Sequence, residues 1–161
     1  ISFVLNKKTS NSDTYLNNVN IESAIRSLEV SNLVSYISSL KFVRDFLVAR
    51  QRELGKGKGI VMDGRDIGTS VFPEAELKFF VTAEASIRAK RRYDELIKKG
   101  DNVSFEAVLK NIEDRDFMDE NRSESPLRKA EDAVVLDNSF LSIKEQESFL
   151  LTHFYNKIKS K

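Results

Sequence analysis

Three short apolar runs constrain this chain more than any other feature. Ile60-Val61-Met62, residues 77–81 and residues 133–136 are each bounded by polar or turn-forming residues. Runs of this length read as strands buried on both faces. Helical patterns precede the first run, separate the second from the third and follow the third. Single strands alternating with helices pack as parallel βαβ units, because parallel neighbours require a long crossover. The expected class is α/β.

The helical patterns carry their own punctuation. Residues 42–54 place Phe42, Val43, Phe46, Leu47 and Arg50 on or beside one stripe, with Gly55 as the stop. Residues 22–40 are more weakly helical, with Ile25, Leu28, Leu33, Ile37 and Leu40 recurring between Ser-rich edges. Thr82 is the expected N-cap of a helix over 83–99, which Gly100 closes. A further helix runs from Ser104 to about Asn121 and ends before Ser125-Pro126. Ser142 and Glu145 form a capping box for a last helix, whose buried stripe is Ile143, Phe149, Leu150, Phe154 and Ile158. At the N-terminus, residues 1–5 and 14–16 alternate in strand fashion. Polar turns at 6–13 and at Asn17-Asn18 make this a small hairpin or three-stranded sheet.

Composition bounds the function classes. With 161 residues the chain is long enough for one domain with a core. Its formal net charge of +1 gives no global pull toward nucleic acid. It has no cysteine, which excludes disulfides, zinc–thiolate sites and thiol catalysis and fits a cytoplasmic setting. No apolar run approaches membrane-spanning length, and no signal peptide is evident. The chain opens at Ile1 in what reads as mid-strand, so a piece of a longer protein is expected.

The candidate site follows the first run. Asp63-Gly64-Arg65-Asp66 breaks the apolar pattern where ligands sit in an open parallel sheet, outside the carboxyl ends of the strands. Arg65 offers a planar fork for a phosphate, and Asp66 accepts from an amine or hydroxyl. An Asp-Gly turn with a surface ion pair explains these residues equally well. Gly55-Lys56-Gly57-Lys58-Gly59 is not a phosphate loop, because it follows a helix and leads into a strand. Arg88, Lys90, Arg91 and Arg92 crowd one helix as a solvated face or an anion-facing cluster. Arg115, Asp119 and Arg122 stand at i, i+4 and i+7 and share a face. Two guanidiniums around one carboxylate would clamp a ligand bearing phosphate and hydroxyls; spacing alone favours a surface salt-bridge ladder. Arginines interleaved with the acids oppose a metal site. His153 lies beside the last apolar stripe, without a partner motif, as a structural residue.

Taken in order, these segments resemble the bacterial cytidylate kinases, a family of nucleoside monophosphate kinases. Asp63-Gly64-Arg65-Asp66-Ile67-Gly68-Thr69 followed by Val71-Phe72-Pro73 carries the most specific likeness. Glu29-Val30-Ser31-Asn32, Ser35 and Val43-Arg44 are similar to the family's monophosphate-binding region. Arg88 to Arg92, then Arg115-Asp116, Asp119, Arg122 and Ser125-Pro126-Leu127, are similar to its arginine-rich helix and lid. Residues 130–135, Leu136-Asp137 and Leu141-Ser142-Ile143 fit the segment leaving the lid and the C-terminal strand and helix.

The resemblance implies a P-loop NTPase-type parallel sheet with flanking helices, an inserted monophosphate-binding region and a helical lid. Its parts would be residues 1–54 (monophosphate region), 55–82 (core strands and CMP-site loop), 83–128 (arginine-rich helices and lid) and 129–161 (C-terminal core strand and helix). It implies transfer of the ATP γ-phosphoryl to CMP or dCMP, with Mg²⁺, by a cytoplasmic monomer. Ser35, Arg44 and Asp66 would read cytosine. Arg65 and Arg122 would hold the acceptor phosphate, and Arg115 with Asp119 would reach the ribose hydroxyls. Arg88, Arg91 and Arg92 would contact ATP. Met118 stands where relatives often have another Arg, and Lys41 where they often have Pro. The family's N-terminal strand, Gly-rich phosphate loop with its Lys, and first helix have no counterpart in these residues. The expectation is a poor or inactive kinase from this chain alone. Rival readings are a non-catalytic CMP-binding module and a nucleic-acid-binding domain using the Arg88–Arg92 and Arg115–Arg122 faces.

Overall fold

A computed structural model describes residues 1–7 and 9–159, without the side chains of Leu28, Asn32 and Ser35. The chain opens with an antiparallel sheet of β1 (Ser2–Asn6), β2 (Asn11–Leu16) and β3 (Val19–Asn20). Ser2 faces Tyr15 and Asn6 faces Asn11, while Tyr15 faces Asn20. Asn17 and Asn18 take φ of 49° and 66°. This is the left-handed pair that a two-residue hairpin needs, and Asn tolerates it without Gly. Strand β2 starts within the expected turn. Its polar start is satisfied: the Asp13 carboxylate accepts from the Asn6 and Asn20 side-chain amides at 3.1 and 3.0 Å.

A single 3₁₀ turn, Ala24–Arg26, precedes α1 (Leu28–Ser39), where Ser27 Oγ caps the Val30 N–H at 3.2 Å. Leu40 is extended and separates α1 from α2 (Lys41–Gly55). Gly55 is the last residue of α2, and the reason for it is packing rather than a left-handed backbone. A Cβ there would meet the Phe72 ring at 2.4 Å. The chain turns beyond it, with Lys58 and Gly59 at φ of 54° and 63°.

The apolar run Ile60-Val61-Met62 does not form the expected strand. Val61 is fully exposed and Ile60 is exposed. No strand lies beside this segment among the described residues, and an extended run without ladder partners has nothing to fix it. The following π turn, Ile67–Val71, is well anchored. The Asp66 carbonyl accepts from the Ser70 N–H at 2.8 Å, and Val71 is buried. Arg52 on α2 donates to the Ser70 and Val71 carbonyls at 2.7 and 3.1 Å, so the helix holds the turn.

The parallel pairing is present: β4 (Phe79–Thr82) runs beside β5 (Val134–Asp137), with Phe79 against Val134 and Thr82 against Asp137. It is less buried than two-faced strands would be, since Val81 and Val135 are exposed. Thr82 ends β4 rather than capping a helix; its carbonyl accepts the Asn138 N–H at 2.8 Å. Helix α3 (Ala85–Lys98) begins two residues later than expected. Ser139 Oγ accepts the N–H of Glu84, its N-cap, at 2.9 Å. At the far end Gly100 has φ of 88°, and the Asp101 and Gly100 N–H groups return to the Leu96 and Ile97 carbonyls. That pattern is a Schellman closure.

Ser104 caps α4 (Phe105–Asn121) through the Ala107 N–H at 3.1 Å. Helices α3 and α4 share a buried core of Ala89, Leu96 and Val108, flanked by Tyr93, Val103, Phe105, Leu109 and Ile112. The Ser142–Glu145 capping box opens α5 (Ile143–Lys159), with reciprocal bonds of 2.8 and 3.3 Å. The stripe expected on α5 is nowhere fully buried and is half-buried only at its middle, at Phe149 and Leu150. Phe149 and His153 pack on Phe79 of β4, whereas Ile143, Phe154 and Ile158 are exposed. Two short strands are too narrow a platform to cover a helix of this length. His153 has a structural setting, with Nδ1 2.9 Å from the Phe149 carbonyl and its ring edge-on to Phe79. No helix among the described residues is long and apolar enough to cross a membrane.

Because Leu96 is fully buried where α3 meets α4, Leu96→Ala is expected to destabilise the chain by about 3 kcal/mol. Urea unfolding should show a lower midpoint with an unchanged m-value.

Candidate functional site

The loop at 63–66 meets α1, α2 and α4 around a cleft of about 260 Å³. Helix α1 contributes Val34 and Ser38, α2 contributes Arg44, and the loop contributes Arg65 and Asp66. Helix α4 contributes Arg115 and Asp119, with Arg122 at its C-cap. Four guanidiniums thus face two carboxylates, an excess of two positive charges in one cleft.

Each carboxylate is nearly buried and carries a defined load. Asp66 pairs with Arg44, their side chains 8% and 12% exposed. Asp119, 4% exposed, receives Arg65 Nε at 3.0 Å and lies 3.6 Å from Arg122 Nη1. Arg122 also folds onto its own chain, donating through Nε and Nη2 to the Ser125 carbonyl at 2.9 and 2.7 Å. The Leu127 N–H returns to the Asp119 carbonyl at 2.7 Å, so the segment after α4 closes over the pair. Arg115 donates to Ser31 Oγ at 3.1 Å. The Nε groups of Arg44 and Arg115 are buried without a hydrogen-bond partner.

The electrostatics agree with the geometry. Burial, then the neighbouring charge of Arg65, pushes the Arg115 guanidinium below its ordinary pKa. Burial, then Arg44, does the same to Arg122. Cations crowded in this way are relieved by an incoming anion, and orphaned buried N–H groups mark where it can be received. The chemistry on offer is therefore recognition of an anionic ligand.

The placement of the individual candidates differs from residue to residue. Arg44, Arg65, Asp66, Arg115, Asp119 and Arg122 are brought together. The ladder that spacing favoured is not a solvated one, since Asp119 and Arg122 are buried. Arg115 shares their helix but bonds to Ser31 instead of Asp119. The Ser35 side chain lies outside the described residues. Arg88, Arg91 and Arg92 do not line the cleft. Arg88 makes a fork with Asp116 at 3.1 and 2.6 Å, tying α3 to α4. Arg91 clamps the loop after β5 through Asn138 Oδ1 and the Asn138 and Ser139 carbonyls, at 2.7–3.1 Å. Arg92 bonds Glu95 and the Arg26 carbonyl.

Sequence reasoning missed Val34 and Ser38 as cleft residues. Their i, i+4 spacing on one helix was a legible signal, diluted by the other serines of α1. A second cleft, of about 340 Å³, lies at the amino ends of β4 and β5. Its Lys78 and Asp132 pair with each other at 2.9 Å, and Lys78 also donates to the Pro73 carbonyl. Among the described residues no cluster of three His, Asp or Glu groups is arranged to hold a metal ion.

Residues 2–154 match the family model described as cytidylate kinase. The chain belongs to the cytidylate kinase family. It is 57% identical over 160 residues to the cytidylate kinase of Bacteroides fragilis, covering 99% of this chain and 70% of the relative. It is 58% identical to that of Parabacteroides distasonis over the same share of each chain. It is 60% identical to that of Phocaeicola vulgatus, over 96% of this chain and 67% of the relative. Within this cytidylate kinase sequence, the buried arginines and carboxylates come from segments up to 78 positions apart in the chain, from Arg44 to Arg122.

The Arg44–Asp66 pair makes a stability prediction. Asp66→Ala leaves a largely buried guanidinium unpaired and is expected to cost about 3 kcal/mol. Adding Arg44→Ala should recover part of that loss in urea unfolding, because the stranded charge is removed.

Proposed function

We propose that the arginine cleft receives the acceptor nucleotide of a cytidylate kinase, which moves the γ-phosphoryl of ATP onto CMP or dCMP to give CDP or dCDP. One observation carries the reading. In a chain of this family, four arginines and two carboxylates converge from α2, the 63–66 loop and α4 with an uncompensated charge of two. A phosphate monoester near pH 7 carries a complementary charge.

The residues divide the ligand between them. Asp66 accepts from the exocyclic amine of cytosine, and Arg44 donates toward the ring nitrogen and carbonyl oxygen. Ser35 is assigned beside them through the family resemblance. Uracil offers an acceptor where cytosine offers the amine, so Asp66 would face a like group and lose its partner. Arg65 and Arg122 hold the phosphate oxygens, with Asp119 fixing both guanidiniums. Arg115 and Asp119 serve the ribose. Phosphoryl transfer asks mainly for positioning and charge stabilisation, which is what preorganised arginines provide.

The proposed architecture is a P-loop NTPase-type core with residues 1–54 as the monophosphate region, 55–82 and 129–161 as core, and 83–128 as arginine-rich helices and lid. The donor half fits these residues less well. The 161 residues contain no phosphate-loop motif, and Arg88, Arg91 and Arg92 are committed to internal partners. ATP and Mg²⁺ belong to the reaction as the family performs it, and no step is assigned to this chain through them. The same internal commitments weigh against a nucleic-acid face on α3.

Calorimetric titration tests the reading. CMP is expected to bind and UMP to bind at least about a hundredfold more weakly. Arg65→Ala should weaken CMP but leave the weaker binding of cytidine unchanged, because the nucleoside has no phosphate to lose. Equal affinity for CMP and UMP would overturn the cytosine assignment.

A further inference from the structure

Arg115 is held differently from the other arginines of the cleft. Arg44 pairs with Asp66, and Arg65 and Arg122 with Asp119. Among the described residues Arg115 forms no ion pair; its Nη1 donates to Ser31 Oγ at 3.1 Å and its buried Nε has no partner. Ser31 sits at the start of α1, where its N–H closes the first helical turn on the Ser27 carbonyl at 3.0 Å. Its side chain is half-buried and faces α4, 84 positions further along the chain.

A hydroxyl and a carboxylate do different things to a guanidinium. A carboxylate fixes its direction and cancels its charge. A hydroxyl fixes the direction and leaves the charge whole. The cleft has used carboxylates on three arginines and a hydroxyl on the fourth. Arg115 is therefore oriented without being neutralised, and its buried Nε has no acceptor among the described residues. The same bond joins α1 to α4, both of which line the cleft. Arg92 makes a second tie in this region, from α3 to the Arg26 carbonyl at 2.9 Å.

We infer that Ser31 is a positioning residue for the acceptor nucleotide: its hydroxyl aims the Arg115 guanidinium into the cleft while leaving its charge available to the ligand. This rests on the nucleotide reading of the cleft. A serine that only decorated the helix would behave otherwise. Serine is a poorer helix former than alanine, so replacing such a residue would leave stability equal or improved and ligand affinity unchanged.

The test uses the full chain as wild type, Ser31→Ala, Ser31→Thr, Arg115→Ala and the Ser31→Ala/Arg115→Ala pair. Arginine Nε–Hε NMR order is measured without nucleotide, and CMP affinity by calorimetry. Ser31→Ala should mobilise the Arg115 Nε–Hε group and weaken CMP roughly three- to tenfold, the worth of one net hydrogen bond. Its thermal midpoint should fall slightly, because the bond tying α1 to α4 is lost. Ser31→Thr keeps the hydroxyl and should hold both readouts near wild type. In the Arg115→Ala background Ser31→Ala should add no further loss. An unchanged Arg115 signal in Ser31→Ala, or an equal loss of affinity without Arg115, would overturn the inference. A wild-type chain that binds no CMP would overturn the nucleotide reading, and the nucleotide half of this inference with it. The Arg115 signal reports the Ser31 contact independently of that reading.

Discussion

The buried carboxylate of Asp119 is the interaction on which the rest of the site depends. It stands near the end of α4 and meets Arg65 from a loop 54 positions earlier and Arg122 from the helix's own end. Asp119 and Arg122 are buried, while Arg65 reaches them from a more exposed position. Without Asp119 the buried Arg122 guanidinium would lose its carboxylate neighbour, and the loop would lose its anchor to the helical layer. The backbone repeats the message, since the Asp119 carbonyl also receives the Leu127 N–H. One residue fixes the loop, the helix terminus and the returning chain.

Around that centre, the structure keeps its cations in two populations. Arg88, Arg91 and Arg92 are saturated with internal acceptors and serve as ties between α3 and its neighbours. Arg44, Arg65, Arg115 and Arg122 keep unspent donors or uncompensated charge. The adjacent arginines of α3 looked more like an anion site in the sequence than the dispersed ones did. Each of them finds its own internal acceptor, on α4, on the loop after β5 and on the 3₁₀ turn, which leaves none of them facing the cleft.

Much of the local structure was legible because its causes are local. The capping box of α5, the Ser104 cap, the Gly100 closure and the Asn17-Asn18 turn each follow from a few adjacent residues. The parallel pairing of 79–82 with 134–137 followed from the helices between them. What failed was reasoning that assumed neighbours. The 60–62 run reads as a buried strand only if strands flank it, and the α5 stripe is covered, in part, only as far as the platform beneath it extends. In the candidate site, the Arg65-Asp66 dipeptide and the Arg115, Asp119, Arg122 spacing were visible. The partners that turn them into a cleft were not, because Arg65 with Asp119 and Ser31 with Arg115 are long-range pairings. The family likeness supplied the grouping that spacing could not.

The Arg44–Asp66 pair also bears on how such a pocket can diverge. Its two members satisfy each other inside the protein, and on the proposed reading they also offer groups to a base. A lineage that drifted toward another pyrimidine could not change position 66 alone, since the first step would strand a guanidinium before any new ligand was gained. On the proposed reading, base preference and folding are inherited together in this pocket, and a change of specificity has to travel through paired substitutions at 44 and 66.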